Sequence, residues 1–385
     1  MKRSFLLVLG LFMAMSVSAQ EYQTHYQSAT EPQTLLPIGT KGANVRKEII
    51  LPTVNGYNLY TADLHVHSTY SDGTMKMSTR IDEAWRDGLD IMAATDHMSI
   101  RPVKDKTGTG QATPDNVKAK RGAKTAKSVN DAVKAGNNFG ILVIPGVELT
   151  GNAKTQGHFN ALFTTDNKAI YDYEGIQAIR NAREQGALIM HNHPGWRHST
   201  LERTKFEEEV YAEKLIDGVE IMNGYCFYPR AIEEAKSRKW FMTATTDIHA
   251  TTAQIYGNND QLRNMTIVFA KDLTLKDVRE ALEARRTLAY SFGVLAGEEA
   301  LLKDFFEASI ETKKLAVNNK KKSQRVQLTN KSSIPFVVRV GKGNPVRIPG
   351  LSSVIVSAKV GKPVSCTVLN MWHGMEQHPT FKLKY

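Results

Sequence analysis

The sequence predicts an α/β fold, a closed or nearly closed β/α barrel followed by a small antiparallel β-sandwich. Three observations carry that prediction. From about Tyr57 to Ser291, helix-like and strand-like patterns alternate along the chain. Within this stretch, short apolar runs end in histidine and carboxylate clusters: Asp63-Leu64-His65-Val66-His67, Thr95-Asp96-His97, Gly146-Val147-Glu148, His191-Asn192-His193 and Asp247-Ile248-His249. After about Ala316 the style changes to short strands separated by Gly, Pro, Asn and Lys.

The first of the 385 residues read as a leader. Lys2 and Arg3 are basic, Phe5 to Met15 are apolar, and Val17-Ser18-Ala19 precedes Gln20 as a small-residue cleavage site. The apolar run is too short to span a bilayer, and no later run is long enough. Residues 1–19 are therefore expected to be a signal peptide. The mature chain is expected to be soluble and either periplasmic or secreted, in a Gram-negative bacterium. Residues 20–56 form an N-terminal extension in which Gln20 to Glu48 shows no convincing period.

The barrel domain is expected over residues 57–310. In its first helix Ser78 is a plausible N-cap, Ile81, Ala84 and Trp85 fall at i, i+3 and i+4, and Gly88 supplies the stop. The run Leu89 to Ala94 then delivers Asp96 and His97. The same order repeats. Ile176 and Ile179 mark a helix ended by Gly186, before Ala187 to Met190 leads to His191 and His193. Another helix ends near Gly218, before Val219-Glu220-Ile221-Met222 leads to Asn223-Gly224-Tyr225. A further one ends around Arg238, before Trp240 to Ala244 leads to Asp247 and His249. About seven such strands precede Ser291. In such barrels the working residues stand on loops at the C-terminal strand ends.

The sandwich is expected over residues 316–385. Its strands are Arg325 to Thr329, Phe336 to Val340, Ser353 to Val356 and Ser365 to Leu369, with Pro335, Pro345 and Pro349 at turns or edges.

Composition narrows the function. The formal charge is +11, and +9 once Lys2 and Arg3 leave with the leader, which favours anionic partners. Part of it sits in Lys313-Lys314 and Lys320-Lys321-Lys322, read as a solvated linker. No basic segment is interleaved with aromatics, and no nucleic-acid motif is present. Only Cys226 and Cys366 could form a disulfide, across two domains, and two buried thiols or one ligand-adjacent thiol are the plainer readings.

The clusters themselves indicate metal. His65 and His67 are two apart on an extended segment, so both face one way and can share an ion. Asp72 lies on the next turn, where it either reaches another ion or merely shapes Ser71-Asp72-Gly73. Of Asp96 and His97, which face opposite ways, His97 is the preferred ligand and Asp96 suits a supporting or substrate-contact role. Glu148 ends an apolar strand, and its carboxylate can bridge two ions. His158 follows one strand later. His193 is preferred over His191, which is held in reserve. Asp247 and His249 repeat the same-face spacing. His25, His373 and His378 read as surface residues, and His198 is ambiguous.

Together His65, His67, Asp72, His97, Glu148, His158, His193, Asp247 and His249 are too many ligands for one catalytic ion, so two or three divalent ions (Zn, Mn or Fe) are expected. Neighbouring ions activate water and neutralise charge on attacking and leaving oxygens, which suits phosphate ester hydrolysis.

In His65-x-His67 with Ser71-Asp72-Gly73, Thr95-Asp96-His97, Gly146-x-Glu148, His193-Pro194 and Asp247-x-His249, the chain resembles the PHP (polymerase and histidinol phosphatase) superfamily. The resemblance covers about Tyr60 to Ser291. It implies a distorted (β/α)7 barrel with a trinuclear site. By this resemblance His65, His67, Glu148 and Asp247 hold the first ion, Glu148, His158 and His193 the second, and Asp72, His97 and His249 the third. Some members carry His where this chain has Asp72. The leader and the C-terminal β domain make the chain look more like secreted phosphodiesterases of the superfamily.

The expected activity is an exported, metal-dependent phosphoesterase, with a diesterase preferred over a monoesterase, acting on a small phosphate ester. Asp96, His191 or a metal-bound water would protonate the leaving group. Arg101, Lys104, Arg197 and Tyr225 follow strand ends and could contact phosphate oxygens. The alternatives are a metal-dependent amidohydrolase and a protein that only binds metal or glycan.

Overall fold

The computed structural model describes residues 45–385 except 101–113, 173, 199–201, 258–261, 321–322, 361–362 and 384–385. The leader calls and those on Arg101 and Lys104 lie outside the described residues.

The chain enters the barrel through β1 (Asn58–Asp63), α1 (Met77–Arg86) and β2 (Ile91–Ala94). Helix α1 buries Met77, Arg80, Ile81 and Ala84 on one face, the i, i+3/i+4, i+7 stripe expected of an amphipathic helix. Its N-cap is Lys76, with no side-chain cap, so Ser78 lies inside the helix and does not begin it. Gly88 (φ +89°) ends the turn as expected. Next come β3 (His97–Ser99), α2 (Pro114–Phe139), β4 (Leu142–Thr150), β5 (His158–Leu162), α3 (Gly175–Glu184) and β6 (Leu188–His191). They are followed by α4 (Lys205–Ala212), the hairpin β7 (Gly218–Asn223) and β8 (Cys226–Phe227), α5 (Pro229–Arg238) and β9 (Phe241–Thr245). Helix α4 stops at Ala212, six residues short of Gly218. Gly218 instead opens β7, where the Phe241 ring leaves no space for a Cβ.

Neighbouring strands run β1-β2-β4-β5-β6-β7-β9, seven in all. Strand β5 is antiparallel to both neighbours, and the other adjacent pairs are parallel. The ring closes beyond the strand ends, where Val66 and Ile248 form a parallel bridge and His67 N donates to Ile248 O (3.1 Å). Below that bridge a further strand, β10 (Met265–Ala270), pairs antiparallel with β1. It meets β9 through side chains: Thr266 Oγ1 donates to Ala244 O (2.9 Å) and Asn264 Nδ2 to Thr245 O (2.9 Å). That wedge and the reversed β5 are the distortions of the barrel.

After α6 (Thr252–Tyr256) and α7 (Leu275–Glu283), β11 (Thr287–Ser291) and β12 (Val294–Gly297) extend the sheet from β10. Helix α8 (Glu299–Ser309) runs straight into β13 (Ile310–Asn318). The C-terminal region adds β14 (Ser323–Asn330), β15 (Phe336–Val340), β16 (Val346–Ile348), β17 (Ser353–Lys359), β18 (Val364–Val368), β19 (Met371–Trp372) and β20 (Thr380–Leu383). Two antiparallel sheets result, β13-β14-β17 and β16-β15-β18-β20. The sandwich therefore starts at Ile310, earlier than residue 316. Lys313 and Lys314 lie on the edge strand β13 and not in a linker, and edge lysines discourage strand-to-strand association.

The two parts share a core. Phe306 of α8 meets Phe336 (ring centroids 5.0 Å apart) and Phe381 (4.6 Å), while β19 pairs in parallel with β12 of the barrel sheet. Truncating one such phenyl ring typically costs ~3–5 kcal/mol. His373 and His378 are half-buried here and not at the surface. Cys226 is exposed and Cys366 is buried in β18; both are free thiols.

Candidate metal centre

The loops that follow β1 and β9 lie side by side, and their pairing places four ligand-type side chains together. Asp247 N donates to His65 O (2.9 Å), so His65, His67, Asp247 and His249 project from one short paired segment. Arg80, buried on α1, fastens both loops from behind: Nε donates to His67 O (2.7 Å), Nη2 to His249 O (2.8 Å) and Nη1 to Ala250 O (2.6 Å). Asp247 (φ +52°) and His193 (φ +28°) both adopt left-handed backbone, a conformation found more often where surrounding structure enforces it for function.

Three overlapping groups result, each with its ligand atoms within 4.8 Å of one another: His65, His67 and Glu148; Glu148, His158 and His193; and His67, Asp72, His97 and His249. Asp247 joins the first, with Oδ1 2.9 Å from His67 Nε2 and 3.3 Å from His65 Nε2. Its Oδ2 lies 3.8 Å from His193 Nε2. Glu148 is shared by the first two groups, and His67 by the first and third. Glu148 Oε1 is 3.5 Å from His65 Nε2 and 3.1 Å from His158 Nδ1, and Oε2 faces His67 and His97. Asp72 Oδ1 stands 3.2 Å from Nε2 of both His97 and His249. All nine residues singled out by sequence thus converge.

The donor set fits divalent cations. The Nε2 atoms of His65 and His67 approach to 3.0 Å with carboxylate oxygens around them. Glu220 Oε1 accepts from His65 Nδ1 (2.7 Å), which in the neutral ring leaves the Nε2 lone pair turned toward Glu148 and Asp247. His249 Nδ1 similarly faces Asp247 O (2.8 Å), leaving Nε2 to Asp72.

Electrostatics agree. Burial opposes a charge on His65, but Asp247, Glu220 and Glu148 outweigh it and hold its pKa well above the usual value. His97 is likewise opposed by burial, yet Glu148 and Asp72 raise it to about 10. Burial prevails at His193, which falls to about 4. Glu148 is held well below the carboxylate range because His97, His158 and His65 outweigh its burial. Carboxylates kept ionised among imidazoles are a donor set suited to divalent cations.

The supporting residues were mostly missed by sequence. Glu220 also accepts from His193 N (2.6 Å), Asn223 Nδ2 (2.9 Å) and Thr245 Oγ1 (2.7 Å), tying three strand ends together. An acid inside the apolar run Val219 to Met222 was the available signal. Asn192 Nδ2 donates to Glu148 Oε1 (3.1 Å), and Thr150 Oγ1 to Glu148 Oε2 (3.1 Å).

The two expected proton donors are placed differently. Asp96 is 1% exposed, and its oxygens accept from Ser68 N (2.7 Å), Ser68 Oγ (2.6 Å), Ser71 Oγ (2.5 Å) and Ser128 Oγ (2.5 Å). With both oxygens engaged, and Ser71 Oγ 3.3 Å from His67 Nδ1, Asp96 ties the turn after His67 to Ser128 of α2. His191 turns away from the ligands toward Tyr211 Oη (2.5 Å) and Glu207 Oε1 (3.2 Å). Arg197 lies over the Trp196 ring (4.5 Å), which in turn flanks His193 (5.1 Å) and His158 (5.4 Å). Tyr225 is 71% exposed and stacks on Phe292 (5.2 Å).

The model of the PHP domain family matches residues 63–293. The chain is similar to a crystal structure of a two-domain protein from Bacteroides vulgatus containing a predicted PHP-like metal-dependent phosphoesterase, with 27% identity and a TM-score of 0.76. That match covers 89% of this chain and 99% of the other. A putative metal-dependent phosphoesterase from Bifidobacterium adolescentis matches at 13% identity and TM-score 0.38, covering 58% of this chain and 96% of its own. An amidohydrolase from Chromobacterium violaceum matches at 16% and 0.36, covering 59% and 97%. No curated protein matches.

Proposed function

This chain belongs to the PHP domain family, and we propose that it is an exported phosphoesterase that hydrolyses phosphodiesters with two or three bound divalent ions. One observation carries the reading: Glu148 stands at the junction of two ligand groups and faces His97 of the third, so the ions would sit as close neighbours. Closely spaced divalent ions make water a nucleophile near neutral pH and offset charge on phosphate oxygens.

The protein's own part is positioning. His65, His67, Glu148 and Asp247 would hold the first ion, Glu148, His158 and His193 the second, and Asp72, His97 and His249 the third. Glu220 and Asp96 keep His65 and His67 in the required orientation. Arg197, held over Trp196 beside His193, would meet a phosphate oxygen. The diester preference is supported by the third group, where Asp72 is 59% exposed at its side chain and, among the described residues, pairs with the imidazoles of His97 and His249. Such an open corner grips a third free oxygen weakly. Export is supported by the leader-like first nineteen residues, and no helix among the described residues is long and apolar enough to cross a membrane.

The test is turnover of bis(p-nitrophenyl) phosphate and p-nitrophenyl phosphate by protein loaded with Mn or Zn. The diester should be the better substrate, and a chelator should abolish the activity. No turnover of either ester at full metal occupancy would overturn the proposal. Fractionation of cells expressing the whole chain should find a mature form starting at Gln20 outside the cytoplasm.

A further inference from the structure

A cavity of about 500 Å³ opens beside the metal centre, on the side of the loop that carries His193. Pro194 and Gly195 form one wall, Phe227 and Tyr228 another, and Ala231 of α5 lines it, with Met375 of the sandwich at its edge. The Tyr228 ring packs against Gly195 so closely that a Cβ there would come within 2.8 Å of it, so glycine sets the spacing between these walls. Pro194 and Gly195 directly follow His193, so this wall and that ligand share one turn, in which Trp196 N donates to His193 O (2.9 Å). These walls are apolar, Glu202, Arg203, Glu207, Arg230 and Glu234 line the remainder, and the volume falls within the ~300–1,000 Å³ typical of ligand pockets.

We propose that this cavity is a subsite for the second ester arm of the phosphodiester substrate, and that the arm it takes is an uncharged, ring-bearing group. The inference rests on the phosphoesterase reading given above. With the phosphate held at the metal centre, an arm leaving on the His193 side passes Tyr228 and meets Phe227, Pro194 and Ala231. A small alkyl arm would leave most of this space unfilled, while a phenyl-sized arm buries its faces against those side chains. Of the two cations in the lining, Arg203 and Arg230, the first is paired with Glu234, and the carboxylates of Glu202 and Glu207 disfavour an anionic arm.

The test compares phenyl p-nitrophenyl phosphate with methyl p-nitrophenyl phosphate by kcat/KM. The wild-type protein should favour the phenyl ester by about tenfold or more, the equivalent of about 1.4 kcal/mol. Ala231→Phe fills the cavity and should bring the ratio close to one. Met375→Trp, at an exposed turn, narrows the mouth and should lower the ratio even if Ala231→Phe fails to fold. The ratio is the readout, so a general loss of rate does not imitate the effect. A wild-type ratio near one, or a ratio unmoved in both folded variants, would overturn the subsite. If the metal-loaded protein turns over neither ester, the phosphoesterase reading fails by itself. Calorimetry with diphenyl phosphate still reads the cavity then: binding weakened in the filled variant supports the subsite, and no binding to wild type overturns it.

Discussion

His65 Nδ1 lies 2.7 Å from Glu220 Oε1, and both side chains are fully buried. This pair couples the first ligand group to β7, because the same carboxylate also receives His193 N and Thr245 Oγ1. Glu220→Gln keeps the shape but not the charge, and its amide can face His65 with the wrong group. Metal affinity is expected to fall by about 10–100-fold, as for other carboxylates that orient a ligating histidine. Isothermal titration of metal-free protein reads this directly, and unchanged affinity would remove Glu220 from the site.

Asp96 gives a prediction that separates support from proton transfer. Asp96→Asn loses the anionic acceptor shared by Ser68, Ser71 and Ser128, at a cost of about 2 kcal/mol. The melting temperature should drop, while the alkaline limb of the pH–rate profile remains. An unaltered melting temperature together with loss of that limb would restore Asp96 as the proton donor.

Arg80 is the structural counterpart on the other side of the loops. Removing it leaves the carbonyls of His67, His249 and Ala250 without their buried donor. Arg80→Leu should destabilise by about 3–5 kcal/mol. Occupancy of the group containing His67, Asp72, His97 and His249 should suffer first, because both clamped loops supply it. Chemical denaturation and metal titration of the same variant check the two effects.

The thiols differ by burial. Cys226 should react with a disulfide reagent in the native protein, whereas Cys366 should stay silent until unfolding. Burial raises the Cys366 pKa to about 12 from an ordinary value near 9. The folded chain therefore keeps a proton that the unfolded chain releases across that interval. Stability should decline as pH rises from about 9 towards 12, and Cys366→Ala should flatten that part of the curve.

Much of this was legible in sequence because ligand chemistry and strand ends coincide. Imidazoles at His65 and His67 needed only the two-residue period of extended chain to be read as convergent, whereas Asp247 reaches them from left-handed backbone. The barrel's alternation was equally visible in runs such as Leu89 to Ala94. What escaped depends on distant partners. Nothing near Asp96 says that Ser128 will reach it across α2, and nothing near His191 says that Tyr211 will draw it away from the centre. Arg80 sits on an apolar helical stripe where its charge looks out of place until His67 O and His249 O are seen behind it. Strand β13 was hidden because Lys313 and Lys314 resemble a linker, although edge strands favour the same residues.

These nine side chains are expected to bind a cluster of cations. Metal analysis of protein purified without chelator, with Glu148→Ala in parallel, tests this most directly. Two to three equivalents of divalent metal are predicted for the wild-type chain, falling to one or fewer when the shared carboxylate is removed. A wild-type protein that holds no divalent metal after reconstitution, or a Glu148→Ala variant that keeps its full complement, would contradict the account.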